Sequence, residues 1–388
     1  MYLTKDEERM YSGEYGEVVE KAIKIIVKVG EALGASRLVQ VSHAHISGVS
    51  YFNIGDEGLE LLRDLRDKGA RVQVYTTANP YSLAGLGLYK EKEITEKQLE
   101  IIKILTDIGV DPQSFTCIPY KLRKPGLGEH LAWAESSAVI YANSVIGAKT
   151  NREGGLIALM AAIIGRTYYA GMHLDSERVA KITIIPTFEI DSILMASLLG
   201  LYIGRISKTI PYIKAKFRTQ SNIALDIMIR NMLASIASTS DIPLAVIDGI
   251  TPEGTYSVEE EERIDIDRKD IEEHIHYCNS DTLLLGCPHI EPHELQYILD
   301  HSNMRALMNY GIKRILVTMP KIPLNAEVNE IIQKIKEKFK ISVEIFPGAC
   351  AIVSNLSMLG FSVIATPHGK ALHYLPSLAG VKACPINV

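Results

Sequence analysis

The chain has 388 residues, of which 47% are hydrophobic, enough to bury a large core and more than one domain usually holds. Lys and Arg number 41 against 46 Asp and Glu, for a net charge of -5; with no basic, aromatic-interleaved run, this argues against a nucleic-acid partner. The most apolar stretches are too short to span a bilayer, and the charged N-terminus lacks the apolar region of a signal peptide. We therefore expect a cytoplasmic protein of two or three lobes, without nucleic-acid or membrane partners.

Helices and strands alternate along the first part of the sequence. Apolar residues from Val18 to Val27 recur every three or four positions and Gly34 follows, which predicts an amphipathic helix and its end. A strand RLVQV comes next, then a helix DEGLELLRDLRDKG and a strand RVQVYTT. A helix is predicted to begin at Thr95 with a Thr-x-x-Gln capping box, and a strand SFTCI follows it.

The same alternation continues to the C-terminus with one interruption. After Gly155 the sequence predicts an apolar helix, a strand KITIIPTF, two more helices and a strand IPLAVIDGI. The charged stretch TPEGTYSVEEEERIDIDRKD predicts a linker or an exposed crossover. The strands DTLLLGC, RILVTMP, ISVEIF and FSVIATP then alternate with helices. This pattern predicts mostly parallel α/β lobes, which we place at residues 1–180, 181–280 and 281–388.

Three of the five cysteines stand where predicted strands end. Cys117 closes SFTCIPY, Cys287 closes TLLLGCPH, and Cys350 lies just beyond SVEIFPGAC. Ligand sites of parallel sheets collect at the carboxyl ends of the strands, so three cysteines there favour a thiolate site, although each alone is explained as a small buried hydrophobe. Cys278 falls in the helical pattern IEEHIHYC and Cys384 near the tail, and in the cytoplasm we expect thiols or metal ligands rather than disulfides. Without a Cys-x-x-Cys pair, the spacing leaves an iron–sulfur cluster, zinc and coincidence open.

Two histidines suggest a rival site. His43 and His45 stand two apart at the end of a predicted strand in VSHAHISG, an arrangement found in barrel-type metal hydrolases. A zinc-dependent hydrolase is therefore one alternative. It is weakened because no aspartate at a strand end completes the ligand set and His-Glu-x-x-His is absent. Capping a loop or binding substrate explains the two histidines more simply.

An anion site is predicted in the segment KTNREGG. Lys149 and Arg152 precede the apolar helix that begins near Gly154, and the start of a helix offers free N–H groups and positive potential. The alternative is ordinary capping of that helix by Thr150 or Asn151. Nucleotide signals are poor, because AGLGLYK does not follow a strand and no Walker A sequence is present.

Several motifs together resemble the catalytic, large-subunit part of the aconitase X family. They are VSHAHISGVSY, TCIPY, GEHLAWAESSAVIYANSVIGAKTNREGG, GITPE, LLLGCPH and GKALHY. The resemblance runs from the first residues to about Tyr374. It implies an aconitase-like, multi-lobed α/β fold with mostly parallel sheets around a cluster cleft, lacking the swivelling domain.

The resemblance also implies a chemistry. It makes Cys117, Cys287 and Cys350 the ligands of a 4Fe-4S cluster in a hydro-lyase. Chains of this size in the family dehydrate (R)-5-phosphomevalonate to trans-anhydromevalonate 5-phosphate in the archaeal mevalonate pathway, with a small swivelling-domain subunit that supplies the base. No catalytic base is therefore assigned in this chain.

Two alternatives stay open beside this expectation. TPHGKALHY departs from the family pattern at Pro367 and His368, and PGACAIVSNLSMLG is atypical around Cys350. These departures keep dehydration of hydroxyproline or another small hydroxy acid as an alternative. A non-catalytic iron–sulfur scaffold is a third class.

The resemblance assigns polar side chains to an anionic hydroxy-acid substrate. Oxygen and nitrogen groups would hold its carboxylate and phosphate, and cationic groups would meet its charged ends. The expected substrate-binding residues are His45, Ser47, Ser136, Asn143, Ser144, Lys149, Asn151, Arg152 and Lys370.

Overall fold

A computed structural model describes residues 1–273, 278–302 and 304–388. Within these ranges the sheets are predominantly parallel, and β1 with β6 is the one antiparallel pair among the named strands. The expectation of mostly parallel α/β lobes is confirmed. No helix in the described ranges is both long and apolar enough to cross a bilayer.

The α-helices are numbered in chain order. They are α1 (Lys5–Tyr11), α2 (Glu17–Ala32), α3 (Tyr51–Asp67), α4 (Lys92–Asp107), α5 (Pro119–Leu122), α6 (Ser136–Tyr141), α7 (Gly155–Ile164), α8 (Ile193–Ile206), α9 (Asn222–Thr239), α10 (Arg268–Glu272), α11 (Pro292–His301), α12 (Met304–Asn309), α13 (Ala326–Phe339) and α14 (Gly369–Tyr374).

The strands are numbered in the same way. They are β1 (Leu38–Gln40), β2 (His43–Ile46), β3 (Tyr75–Ala78), β4 (Tyr81–Ser82), β5 (Ala132–Trp133), β6 (Arg166–Tyr168), β7 (Val179–Pro186), β8 (Glu189–Ile190), β9 (Pro211–Ile213), β10 (Lys216–Phe217), β11 (Val246–Ile247), β12 (Ser257–Ile266), β13 (Thr282–Leu285), β14 (Arg314–Met319), β15 (Ser342–Pro347), β16 (Ala349–Cys350), β17 (Val363–Thr366) and β18 (Lys382–Pro385).

Three sheets form the framework of the molecule. The first has the order β3-β2-β5, the second β11-β9-β7-β12, and the third β15-β14-β13-β17-β18. Strands of the third sheet read as nearly continuous apolar runs, such as LLL in β13 and ILV in β14, because helices cover a parallel sheet on both faces.

Helix α9 is buried along its last three turns, from Ile227 to Ser238. It packs against α6 from residues 1–180, α8 from residues 181–280, and α11 and α14 from residues 281–388. Helix α9 therefore joins elements from all three of these ranges.

The carboxyl ends of the first and third sheets meet at one cleft. Ser47 directly follows β2, Asn79 follows β3, and Glu135 stands two residues beyond β5. From the third sheet, Cys287 stands two residues beyond β13 and Lys370 lies in the first turn of α14, after β17. All of these residues line one cavity, as the general placement of ligand sites in parallel sheets leads us to expect.

Some predicted elements differ from the structure. The helix predicted from Thr95 begins three residues earlier, at Lys92, and Glu91 is its N-cap, so the capping box was wrong. The strand SFTCI is reduced to an isolated bridge between Phe115 and Ala78. The charged stretch predicted as a linker contains β12, a ten-residue strand at the exposed edge of the second sheet. Its glutamates point to solvent, and charge on an edge strand prevents pairing with other chains.

The prediction that the cysteines are all thiols or metal ligands was wrong for two of them. Cys278 and Cys384 form a disulfide, with their Cα atoms 5.4 Å apart although they are separated by 106 residues in sequence. This contact cannot be predicted from sequence spacing, because it depends on β18 pairing with β17 at the edge of the third sheet. The helical pattern predicted up to Cys278 falls largely on residues 274–277, outside the described residues, and Cys278 itself is not helical.

Breaking this disulfide is expected to destabilise the protein. Cross-linking a loop of about 100 residues stabilises a fold by on the order of 4 kcal/mol in the chain-entropy account. Cys384→Ser should therefore lower the melting temperature by several degrees, and reductant should do the same to the unaltered chain. A Cys278→Ser/Cys384→Ser variant serves as control, because reductant should leave its melting temperature unchanged. If reductant has no effect on the unaltered chain, the disulfide is not formed in solution.

Candidate functional site

A cavity of about 220 Å³ lies between the first and third sheets. Three cysteines, Cys117, Cys287 and Cys350, line it together. They come from three separate segments of the chain and none of them is in a disulfide. The structure therefore brings together the three cysteines that the sequence places at strand ends.

The three thiols lie in a poorly solvated environment. Burial, with a smaller contribution from the Glu135 carboxylate, raises the pKa of Cys117 to about 12. Burial also raises the pKa of Cys287 well above its usual range and the pKa of Cys350 to a lesser degree. A thiol in this buried environment loses its proton only when a cation lies nearby. A bound metal ion supplies that positive charge and replaces the thiol protons.

The three thiols are soft ligands of the kind that bind zinc or an iron–sulfur cluster. In the described part of the chain, metal donors also come together at a second place. Glu291, His293 and Glu294 form the one group there of three or more His, Cys, Asp or Glu donors whose ligand atoms all lie within 4.8 Å of one another.

The group formed by Glu291, His293 and Glu294 is accounted for by structural contacts. Glu294 accepts a hydrogen bond from Arg230 Nη2 at 2.7 Å and another from the backbone N–H of Glu291 at 2.8 Å. Lys121 Nζ also lies 3.5 Å from its carboxylate. These contacts cap α11 and neutralise a buried charge, so this carboxylate is not free to bind a metal.

Two buried histidines hold the cysteine loops in place. The backbone N–H of His289 donates to Cys117 Sγ at 3.1 Å, and its imidazole is fixed by Ala349 O at 2.9 Å and Thr116 Oγ1 at 3.1 Å. His368 Nε2 accepts from the backbone N–H of Gly286, next to Cys287, at 3.1 Å. Burial lowers the pKa of His289 to about 4 and that of His368 to about 3, so both act as neutral hydrogen-bonding groups.

Gly286 has to be glycine at this place. Its φ is 99°, and a Cβ atom there would stand 2.0 Å from the backbone oxygen of Thr318. His368, one of the two residues that the sequence analysis takes as a departure from the family pattern, supports this backbone beside Cys287. Neither Pro367 nor His368 lines the cavity.

A buried ion pair lines the same cavity as the thiols. Lys370 Nζ contacts Glu135 Oε1, and the side chains of both residues are at most 13% exposed. Burial alone would raise the pKa of Glu135, but the Lys370 charge and hydrogen bonds from Lys370, Ser137 and Asn79 outweigh it and hold the pKa at about 2. Burial also opposes the charge on Lys370, and the adjacent carboxylate overcomes it and raises the pKa. The cavity thus holds an ammonium group that stays charged.

Four of the residues predicted to bind substrate line the cavity. They are Ser47, Ser136, Arg152 and Lys370. Arg152 is exposed at the mouth of the cavity, where its Nη1 donates to Ser240 O at 2.7 Å.

Ser47 lies close to the start of α7. A Cβ atom on Gly155 would stand 2.3 Å from the backbone oxygen of Ser47. Gly155, the first residue of α7, therefore allows the loop after β2 to pack against this helix.

The other polar residues of the long motif point elsewhere. Asn143 bonds the backbone of Thr150 through both its amide atoms. Ser144 accepts from the N–H of Ala245 at 2.9 Å, Asn151 caps Met172 N at 2.8 Å, and Lys149 pairs with Asp175 at 2.6 Å. None of Asn143, Ser144, Lys149 and Asn151 lines the cavity. Asn143, Ser144 and Asn151 thus satisfy backbone groups, as buried polar groups generally do, and Lys149 forms an ion pair.

His43 and His45 lie behind the cavity and not in its wall. His43 Nε2 is 2.9 Å and His45 Nδ1 is 2.7 Å from Thr77 Oγ1, and His45 Nε2 is 2.8 Å from Asn79 Oδ1. Both imidazoles are fully buried. Three of their four ring nitrogens are thus engaged by protein groups, so the zinc-hydrolase interpretation loses its proposed ligands.

Two residues of the site, Glu135 and Asn79, were not singled out in the sequence. Both follow strands of the first sheet, β5 and β3. The rule that ligand sites form at carboxyl ends of strands could have found them. Glu135 was missed because β5 is only two residues long, too short to give a strand pattern. Asn79 directly follows β3, within reach of the predicted strand RVQVYTT, and that rule would have found it.

Family models match nearly the whole chain. The aconitase X first domain matches residues 1–176, the second domain residues 180–276, and the third domain residues 280–386. The three matches follow one another along the chain in the order of their names.

Curated relatives match over similar lengths. The phosphomevalonate dehydratase large subunit of Methanocaldococcus jannaschii is 37% identical, with 97% of this chain and 96% of the relative covered. That of Thermococcus kodakarensis is 35% identical, with 97% and 95% covered. The cis-3-hydroxy-L-proline dehydratase of Pseudomonas aeruginosa is 34% identical over 64% of this chain and 43% of its own length.

A solved structure has the same fold. The crystal structure of Thermococcus kodakaraensis aconitase X in its holo-form superposes with a TM-score of 0.84 at 34% identity, with 98% of this chain and 96% of that chain covered. The aconitase-like fold class is thereby confirmed. Full-length identity, the domain matches and the shared fold together show that the chain belongs to the aconitase X family.

Proposed function

We propose that this chain is the large, catalytic subunit of a hydro-lyase that removes water from (R)-5-phosphomevalonate to give trans-anhydromevalonate 5-phosphate. The observation that carries the proposal is a single cavity lined by three unpaired thiols, a charged lysine and an arginine. Five archaeal phosphomevalonate dehydratase large subunits, 33–37% identical over nearly their full lengths, support this substrate.

A 4Fe-4S cluster fits the residues of the cavity. Cys117, Cys287 and Cys350 would hold it: they are unpaired, line one cavity, and supply three thiolates, the ligands that bind iron–sulfur clusters. Three thiolates leave one iron without a protein ligand, and that iron would supply Lewis-acid chemistry that makes a substrate hydroxyl a better leaving group.

The other residues of the cavity bind and orient the substrate. Lys370, held by Glu135, presents a fixed positive charge for the carboxylate, beside the hydroxyl of Ser136. Arg152, at the mouth of the cavity, is placed for the phosphate, since guanidinium binds such oxyanions through two parallel hydrogen bonds. Fixing both anionic ends aligns the carbon that loses its proton with the carbon that loses its hydroxyl.

The base that takes the proton is proposed to come from a small swivelling-domain subunit. In the cavity wall the Glu135 carboxylate is engaged by Lys370, Asn79 and Ser137, and both ring nitrogens of His289 are bonded. The relatives are named large subunits, which supports a smaller partner. That partner would close the cleft and exclude water from the reacting groups.

Hydroxyproline is the second candidate substrate, because two cis-3-hydroxy-L-proline dehydratases are 34% and 28% identical to this chain. This chain spans 43% and 64% of their lengths, against 94–99% for the phosphomevalonate enzymes. His368, whose departure from the family pattern suggested another substrate, is fully buried and does not touch the cavity. Phosphomevalonate is therefore favoured.

The two substrates are distinguished by one assay. The enzyme is prepared without oxygen, combined with the candidate small subunit and given phosphomevalonate or cis-3-hydroxy-L-proline. We expect the phosphomevalonate product to weigh one water molecule less and to absorb as a conjugated acid, with hydroxyproline unchanged. Turnover of hydroxyproline alone would reverse the assignment, and turnover of neither would favour a non-catalytic iron–sulfur scaffold.

A further inference from the structure

A continuous row of side-chain hydrogen bonds runs behind the cavity to the Glu135–Lys370 pair. It starts at His43, passes through Thr77 to His45, and continues through Asn79 to Glu135. The joining distances are 2.9, 2.7, 2.8 and 2.7 Å. The reaction proposed above gives no role to the first four members of this row.

The direction of every hydrogen bond in the row can be worked out from its Glu135 end. An ionised carboxylate only accepts, so Asn79 must donate its Nδ2 to Glu135 Oε2 and turn its Oδ1 towards His45. A carbonyl oxygen also only accepts, and therefore the proton of the neutral His45 ring is on Nε2. His45 Nδ1 is then an acceptor.

The same reasoning fixes the remaining two members. The single hydroxyl proton of Thr77 goes to His45 Nδ1 at 2.7 Å, because its alternative acceptor, Ala44 O, is at 3.5 Å. Thr77 must then accept from His43 Nε2. Every donor in the row therefore points towards Glu135.

Glu135 accepts four hydrogen bonds, one of them from the row. Its Oε1 accepts from Lys370 and from the hydroxyl and N–H of Ser137, and its Oε2 accepts from Asn79. A carboxylate with this many donors has little capacity left for a substrate proton. Its remaining effect is on Lys370, whose other contacts, to Ser136 and Ser137, are weak at 3.4 and 3.5 Å.

We propose that His45 and Glu135 are positioning residues, which act through this one-way row of hydrogen bonds to fix the Lys370 ammonium for an anionic carboxylate ligand. Naming that ligand as the carboxylate of the hydroxy acid rests on the proposed function. The direction of the row does not depend on it. His45 thus contributes to substrate binding without touching the substrate.

The two amide replacements of His45 separate this role from simple packing. A glutamine amide nitrogen reaches the position of Nε2 and can donate to Asn79, whereas an asparagine amide reaches only the position of Nδ1. In the complete two-subunit enzyme we expect His45→Gln to keep kcat/KM within about threefold of the unaltered enzyme. His45→Asn should lower kcat/KM by about tenfold or more, the size of one hydrogen bond in a charged network, mainly through KM.

Glu135→Gln should raise KM more strongly than His45→Asn does, because it removes the charge that holds Lys370. The matched control is Glu7→Gln, another buried carboxylate paired with an arginine but distant from the cavity. Its kinetics should be unchanged. Equal losses in His45→Gln and His45→Asn, with both variants folded, would overturn the proposal, as would a Glu135→Gln variant with unchanged KM.

A second measurement tests the row without any turnover. Nitrogen-15 NMR of the histidine rings reports which ring nitrogen carries the proton. We expect His45 to be neutral and protonated at Nε2, and to stay so in Glu7→Gln. A proton on Nδ1 would overturn the proposal. An Nε2 proton in an enzyme that turns over none of the tested hydroxy acids would keep the row and reject the proposed function, so the two failures are distinguishable.

Discussion

Replacing any one of Cys117, Cys287 or Cys350 with serine is expected to abolish activity and to remove most of the iron from protein purified without oxygen. The unaltered chain should be brown and contain about four iron atoms per molecule. A serine hydroxyl ionises far less readily than a thiol, so it cannot replace a thiolate ligand in a buried cavity. Iron and sulfide analysis, together with the visible spectrum, measures the result.

The matched control for these variants is Cys384→Ser. Cys384 is also buried, but it is in a disulfide with Cys278 and outside the cavity. It should keep its iron and colour while losing thermal stability. A colourless preparation with full activity would refute the cluster, and stoichiometric zinc in place of iron would bring back the hydrolase interpretation.

The second large effect concerns the partner. The large chain alone, with its cluster intact, is expected to be inactive, and addition of the candidate small subunit should restore dehydration by several orders of magnitude. The reason is that the carboxylate and imidazole groups of the cavity wall are engaged by other protein groups. General-base catalysis contributes about 10²–10⁴-fold to a rate, and closure of a cleft adds to it. Turnover with and without the small subunit measures the effect.

Equal turnover in both cases would place the base in this chain. Ser136, whose hydroxyl lies 3.4 Å from Lys370 Nζ, would then be the residue to replace. Such a result would refute the division of labour between two subunits while leaving the cluster proposal intact.

The surface on which the small subunit is proposed to dock can be probed separately. Leu378 lines the cavity and is 47% exposed, and an apolar side chain in such a place is typical of the centre of an interface. Leu378→Glu should therefore weaken binding of the small subunit by tenfold or more. Leu33→Glu, at a leucine that is 58% exposed and directly follows α2, is the control and should bind normally.

Much of the architecture was predictable from the sequence because it depends on local patterns. The alternation of helices with apolar strands identified the parallel sheets, and the ends of the predicted strands identified Cys117, Cys287 and Cys350, although the strand before Cys117 is only an isolated bridge. These are general properties of parallel sheets, and they survive small errors in the bounds of an element. The apolar face of α2, predicted from Val18 to Val27, is also buried.

The polar residues were harder to place. Asn143 and Ser144 look like ligands in the sequence, but in the structure they satisfy buried backbone groups. His45 stands one residue before the end of β2 and points behind the sheet edge, towards Thr77. Which face a side chain takes at the end of a four-residue strand depends on the register of its neighbours. That register, set here by β3 and β5, is not visible in a single sequence.

The disulfide between Cys278 and Cys384 shows the same limit over a longer distance. The two residues meet because β18 adds to the edge of the third sheet beside β17. The order of the strands in that sheet, and not any feature near either cysteine, brings the two together.

The most direct test of the central claim is to follow the cluster and the reaction together. The two-subunit enzyme, prepared without oxygen, is treated with limited oxidant, and its paramagnetic spectrum, iron content and rate of phosphomevalonate dehydration are measured in the same samples. We predict that activity falls in proportion to the loss of one iron atom per cluster, and that ferrous iron with thiol restores both. Full activity in enzyme that has lost this iron, or activity that follows bound zinc, would contradict the account.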